Sequence, residues 1–137
     1  MKKYSFLLVC LFISIAAMSQ KAVMTFQEKE HDFGKINEKD GNATYVFKFT
    51  NKGDGPLVIT NAQAQCGCTT PVWTKEPISA GKTGSITVTY NTAGRSGIFD
   101  KNITVYCNGS EEQIVLKIKG EVIPKPVTPT EPVAAKP

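Results

Sequence analysis

Two-residue alternation of large apolar side chains constrains this chain more than any other feature. Tyr45, Phe47 and Phe49 are interleaved with Thr44, Val46, Lys48 and Thr50, which is the period of a strand with one buried face. The period returns in Leu57 and Ile59, and in Ile86, Val88 and Tyr90 against Thr87 and Thr89. It returns again in Ile103 and Val105 against Asn102 and Thr104, and in Ile114, Leu116 and Ile118 against Lys117 and Lys119. Turn-forming runs separate these stretches: Asn51-Lys52-Gly53-Asp54-Gly55-Pro56, Ala80-Gly81-Lys82, Ala93-Gly94-Arg95-Ser96-Gly97 and Asn108-Gly109. No segment carries a capped apolar repeat of helical period. About seven short strands, with turns roughly every 8–12 residues, is the profile of a β-sandwich.

The two ends read differently from the middle. Residues 1–19 have the form of a secretory signal: Lys2 and Lys3, an apolar run from Phe6 to Ala17, then Ala17-Met18-Ser19 before a cut at Gln20. That run is short of the ~20 apolar residues a bilayer crossing needs. Cys10 lies behind Leu7-Leu8-Val9, where diacylation would want a small residue, so a lipoprotein cut there is not expected. Of the eight prolines, Pro124, Pro126, Pro129, Pro132 and Pro137 fall in residues 124–137. That composition favours extended, solvated backbone, and the segment is read as a disordered spacer tail. The expected organisation is therefore a signal peptide (1–19), one folded domain (20–123) and a Pro-rich tail (124–137).

Export would remove Lys2 and Lys3 and no acid from a formal charge of +4. The remaining charges are scattered. A nucleic-acid surface would need clustered Lys and Arg, so no nucleic-acid partner is expected. No second long apolar run suggests stable membrane insertion.

Three cysteines, Cys66, Cys68 and Cys107, would survive export. An odd count in an oxidising compartment leaves one thiol free or paired to another molecule. Cys107 shares the parity of Ile103 and Val105, which makes it a buried small hydrophobe or a crosslink to the Cys66/Cys68 loop, closing about 40 residues. The pair Cys66-Gly67-Cys68 has three readings. Alternate residues of an extended strand lie about 6.6 Å apart at Cα, near the upper limit for a disulfide, and Gly67 permits a tighter turn. A local disulfide would suit a redox role. Two thiolates could instead hold a soft ion such as Cu(I), with Cys107 as a third ligand. Zinc is disfavoured by the spacing and by a single distant His31. The bland reading is a structural loop of Gly67, Thr69, Pro71 and Trp73, with Trp73 as a core anchor. No cofactor beyond Cu(I) is suggested.

Other strings fail on context. Gly81-Lys82-Thr83 lacks the glycine of a phosphate loop, with Glu76 in its place, and precedes a strand. Asp32-Phe33-Gly34 has none of the kinase machinery around it; Asp32 reads as a turn residue in the first strand. Asn42, Asn102 and Asn108 fit the N-glycosylation consensus, which matters only in a glycosylating host. No nucleophile has an identifiable base, so no enzyme is expected.

The run His31-Asp32-Phe33-Gly34-Lys35-Ile36, then Phe47 to Asn51, Gly55 to Ile59, Cys66-Gly67-Cys68-Thr69, Pro71, Trp73, Gly81, Gly84, Gly97, Phe99, Lys101 and Gly120 resembles a bacterial exported family, domain of unknown function 1573. The resemblance covers residues 24–122. It is similar in turn to Hydin-like and major-sperm-protein-like domains, which implies an immunoglobulin-like sandwich that mediates protein contacts, exported but without an established activity. Serine is usual in the family where Cys107 stands. The expected fold is thus all-β, an immunoglobulin-like β-sandwich of about seven strands. The expected function is an exported binding module, periplasmic, cell-surface or secreted, whose partner is another envelope or secreted protein, met through loops or by strand addition at a free edge. A soft-metal or thiol-redox site at Cys66/Cys68 is the alternative.

Overall fold

Alternating segments can bury their apolar parity only by pairing into sheets and stacking face to face. The computed structural model, which describes residues 19–127, shows that outcome. The strands are β1 (Met24–Phe26), β2 (Glu30–Asn37), β3 (Ala43–Asn51), β4 (Ile59–Ala64), β5 (Thr69–Trp73), β6 (Thr83–Tyr90), β7 (Gly97–Cys107) and β8 (Gln113–Ile123). A single 3₁₀ turn, Glu38–Asp40, joins β2 to β3. One sheet has the order β1-β3-β6-β5 and the other β2-β8-β7-β4. Residues 1–18, with nearly all of the signal-like segment, and residues 128–137 of the Pro-rich tail lie outside the described residues.

The described residues form eight strands against the expected seven or so because the first strand is split. β1 pairs antiparallel with β3 in one sheet, and the chain then crosses so that β2 pairs parallel with β8 in the other. Counted as one edge strand, β1 and β2 give the A-B-E-D and C-F-G order of a seven-stranded immunoglobulin-type sandwich. A bulge then lies inside β2, between Asp32 and Lys35. There Gly34 takes a φ of 64° and donates its N–H to Asp32 Oδ1 at 2.8 Å, so Asp32 closes a turn inside the strand.

The core is the buried parity of the inner strands. Phe47 and Phe49 of β3 and Ile86 and Val88 of β6 face Ile103 and Val105 of β7 and Leu116 and Ile118 of β8, none more than 1% exposed. Each such side chain contributes about 1.5–3 kcal/mol by burial. Gly84 belongs to this packing: a Cβ there would press into the Phe49 ring, 2.9 Å from its Cε2.

One segment assigned to a loop is a strand. Thr69, Pro71 and Trp73 form β5, paired with Tyr90, Val88 and Ile86 of β6. Two threonines and a proline conceal the alternation. Asn91 N–H donates to Cys68 O at 2.8 Å and Thr74 N–H to Ser85 O at 3.1 Å, so the even-numbered residues bond to β6. The missing N–H of Pro71 therefore falls on the open edge, where proline is tolerated.

Candidate functional site

β4 and β5 belong to different sheets, so the chain between them must cross the open side of the sandwich. Gln65 N–H to Asn102 O, at 3.0 Å, fixes the start of this crossover, and Asn91 N–H to Cys68 O fixes its end. Between the anchors Cys66 and Cys68 form a disulfide, with Cα atoms 5.3 Å apart. Thr69 N–H donates back to Cys66 O at 3.3 Å, closing the turn. The Thr69 hydroxyl lies 3.9 Å from Cys66 Sγ and 3.7 Å from Cys68 Sγ. Cys68 is buried at 6% exposure, whereas Cys66 is half-buried and Gly67 exposed. Nothing lies within 4 Å of the place a Gly67 Cβ would take, so the tip of the loop faces open space.

The disulfide forms one wall of an open cleft of about 590 Å³. Its other lining is Tyr90, the turn residues Gly94, Arg95 and Ser96, and Lys101. Tyr90 is held by stacking on Phe99, ring centroids 3.9 Å apart. Lys101, which the sequence offers only as part of the family resemblance, is the residue whose place in the site sequence reasoning missed. It has the parity of Phe99 and Ile103, so it stands on the core-facing side of β7 and is half-buried. A lysine in that register is disfavoured unless its amine reaches water or a partner, and here it reaches the cleft. Ion pairs among the described residues are Lys117–Asp100, at 3.5 Å, and Lys119–Glu30. Neither Arg95 nor Lys101 takes part in one.

The turn carrying Arg95 is anchored. Arg95 N–H donates to Thr92 O at 3.1 Å. The Thr92 side chain, 1% exposed, donates to Gly41 O at 2.8 Å. Glu38 accepts the Gly94 N–H at 2.9 Å and the Lys125 N–H at 3.1 Å. These two amides, Gly94 first, hold the Glu38 carboxyl below its usual value.

Cys107 lies elsewhere. It pairs with Ile59 at one end of the β4–β7 ladder, while Ala64 pairs with Ile103 at the other, and the disulfide lies beyond Ala64. Its Sγ donates to Glu111 O at 3.2 Å and is buried. Cys107 therefore fills core, and neither the crosslink to the Cys66/Cys68 loop nor a three-thiol site is formed. With Cys66 and Cys68 joined to each other, no thiolate pair is presented to a soft metal. No group of three or more His, Cys, Asp or Glu suited to a metal occurs among the described residues. His31 is stacked on Tyr45 at 3.6 Å, on a different strand from either cysteine. Trp73 is half-buried against the core edge with Lys75 Nζ 3.1 Å from its ring centroid, a partial rather than a central anchor.

In architecture the chain is similar to a protein of unknown function from Porphyromonas gingivalis W83, with a TM-score of 0.66 and 20% identity over 81% of this chain and 51% of that one. It is also similar to part of the VesB protease of Vibrio cholerae, with a TM-score of 0.54 and 15% identity over 74% of this chain and 32% of that one. The secreted serine protease VesC of the same organism gives 0.54 and 11% over 72% and 23%. At such identities the likeness is one of fold. The chain thus spans about half the length of the first protein and a third or less of the proteases. No curated protein matches it. The family is shown directly by sequence: residues 24–122 match the profile described as protein of unknown function DUF1573, and the chain belongs to that family.

Proposed function

We propose that the protein is an exported interaction module that holds an acidic segment of an envelope or secreted partner in the cleft beside Cys66–Cys68. The observation that carries this reading is Lys101. It stands on the core-facing parity of β7, outside any ion pair among the described residues, and lines one cleft with Arg95. A cation kept there without a carboxylate is available to a negative group from outside. Export is supported by the signal-like residues 1–19.

The sheet edges favour loops over strand addition as the contact. β1 has three residues, β2 is bulged at Asp32–Lys35, β4 is irregular between Ile59 and Asn61, and β5 carries Pro71 on its open side. Each of these features blunts an edge.

A photo-crosslinking side chain placed at Ser96, in the full-length protein in its native host, tests the reading. It should give a discrete adduct whose cross-linked peptide is acidic. The adduct should vanish in an Arg95→Glu/Lys101→Glu variant and be missing when the probe sits at Val115 on the outer face of the β2-β8-β7-β4 sheet. Equal capture from Ser96 and Val115, or capture indifferent to the charge reversal, would defeat it.

A further inference from the structure

We propose that Cys66–Cys68 is a thiol–disulfide exchange site for a dithiol whose thiols are flanked by carboxylates, with Cys66 Sγ as the atom attacked. The substrate class rests on the reading of the cleft as the place where an acidic partner docks.

Two independent features carry the assignment. First, the disulfide closes a loop through a single intervening residue, which restricts the unfolded chain far less than a long loop would. It lines an open cleft, with Cys68 belonging to the buried core and Cys66 packed against it. Second, Arg95 and Lys101 line that same cleft without ion pairs among the described residues. Positive charge stabilises thiolates and so eases their departure. The two sulfurs are not equivalent. Cys66 is half-buried beside the exposed Gly67, whereas Cys68 is 6% exposed; the Thr69 hydroxyl lies close to both sulfurs.

The chemistry balances without a further reagent. A substrate thiolate attacks Cys66 Sγ and forms a mixed disulfide. The Cys66–Cys68 bond breaks, and Cys68 Sγ leaves as a thiolate with the bonding pair. The substrate's second thiolate then attacks its own sulfur in the mixed disulfide, forming the substrate disulfide and releasing Cys66 as a thiolate. The protein gains two electrons, the dithiol loses two, and the two protons shed by the substrate end on Cys66 and Cys68.

The test is the rate at which the oxidised protein is reduced by mercaptoacetate, 2-mercaptoethanol and cysteamine, each expressed per thiolate and read by quenched alkylation and mass spectrometry. Mercaptoacetate should lead the neutral and cationic thiols by roughly tenfold at low salt. That lead should collapse at high salt and in Arg95→Gln/Lys101→Gln, and the first mixed disulfide should map to Cys66. Rates in wild type that follow thiol basicity alone, or a first adduct on Cys68, would overturn the assignment. The salt arm needs no variant, so a misfolded substitution does not shelter it. Loss of the charge preference with Ser96 capture intact removes exchange and leaves docking. A charge preference without capture supports exchange and removes the partner.

Discussion

Asn51 has no exposed surface, yet its side-chain amide is fully engaged. Nδ2 donates to Gly55 O at 2.7 Å and Ile78 O at 2.9 Å, and Oδ1 accepts from Val23 N–H at 3.2 Å and Gly53 N–H at 3.0 Å. It ties the β3 end to the chain before β1 and to the stretch leading into β6. Asn51→Leu, close in size, leaves Gly55 O and the Val23 and Gly53 N–H groups without this partner, while Ile78 O keeps the Leu57 N–H. At about 1–3 kcal/mol for each buried group left unpaired, the expected loss is at least 3 kcal/mol, read as a lower urea midpoint at unchanged slope. An unchanged midpoint would mean water replaces the amide. This role was not legible in the sequence, because Thr50-Asn51 reads equally well as the start of a polar turn. The parity of Cys107 was legible, since a two-residue period fixes which face a side chain takes. Parity says nothing of distance along the ladder, which is why the lack of contact with Cys66 was hidden. Lys101 was open to detection by the same rule: it is a cation on the parity of Phe99, Ile103 and Val105.

The inner strands β3, β6, β7 and β8 were legible because both neighbours of each demand an apolar face. The edge strand β5 was not, since half of its backbone faces outward and Thr69, Thr70 and Pro71 carry little pattern. The segment between β6 and β7 read as a turn from Gly94 and Gly97, and that is its form, but what holds it rigid comes from far along the chain. Glu38, in the 3₁₀ turn after β2, fixes Gly94 beside Arg95 and also takes the Lys125 N–H. Because its carboxyl is held below the usual range in the folded protein, the anchor is complete above the ordinary carboxylate pKa. It is lost as pH falls through the lowered value. The Gly94 and Lys125 amide resonances should therefore titrate together, with one midpoint below the usual carboxylate range, and should cease to do so in Glu38→Gln. Separate midpoints, or one at an ordinary carboxylate value, would show that Glu38 does not join the two segments.

Whole-molecule order was the least legible level, since periodicity assigns faces and leaves neighbours open. The chain changes sheet between β1 and β2, and the crossover from β4 to β5 is what brings Cys66 and Cys68 to Lys101. That placement decides how much the fold owes to its crosslink. By loop-closure entropy a disulfide spanning three residues contributes about 1.6 kcal/mol, against about 4 kcal/mol for the 40-residue loop that Cys107 would have closed. The core is dominated by facing Phe, Ile, Leu and Val residues of both sheets at 1% exposure or less, with Cys68 and Cys107 as more exposed members at 6% and 7%. Full reduction, or Cys66→Ser/Cys68→Ser, should leave the far-ultraviolet circular dichroism of a β protein and lower the melting temperature by no more than about 10 °C. A bond that can be opened at that small cost can change partners while the sandwich stays folded, as exchange requires. Unfolding of the reduced protein at room temperature would make the disulfide a brace and remove the basis for exchange.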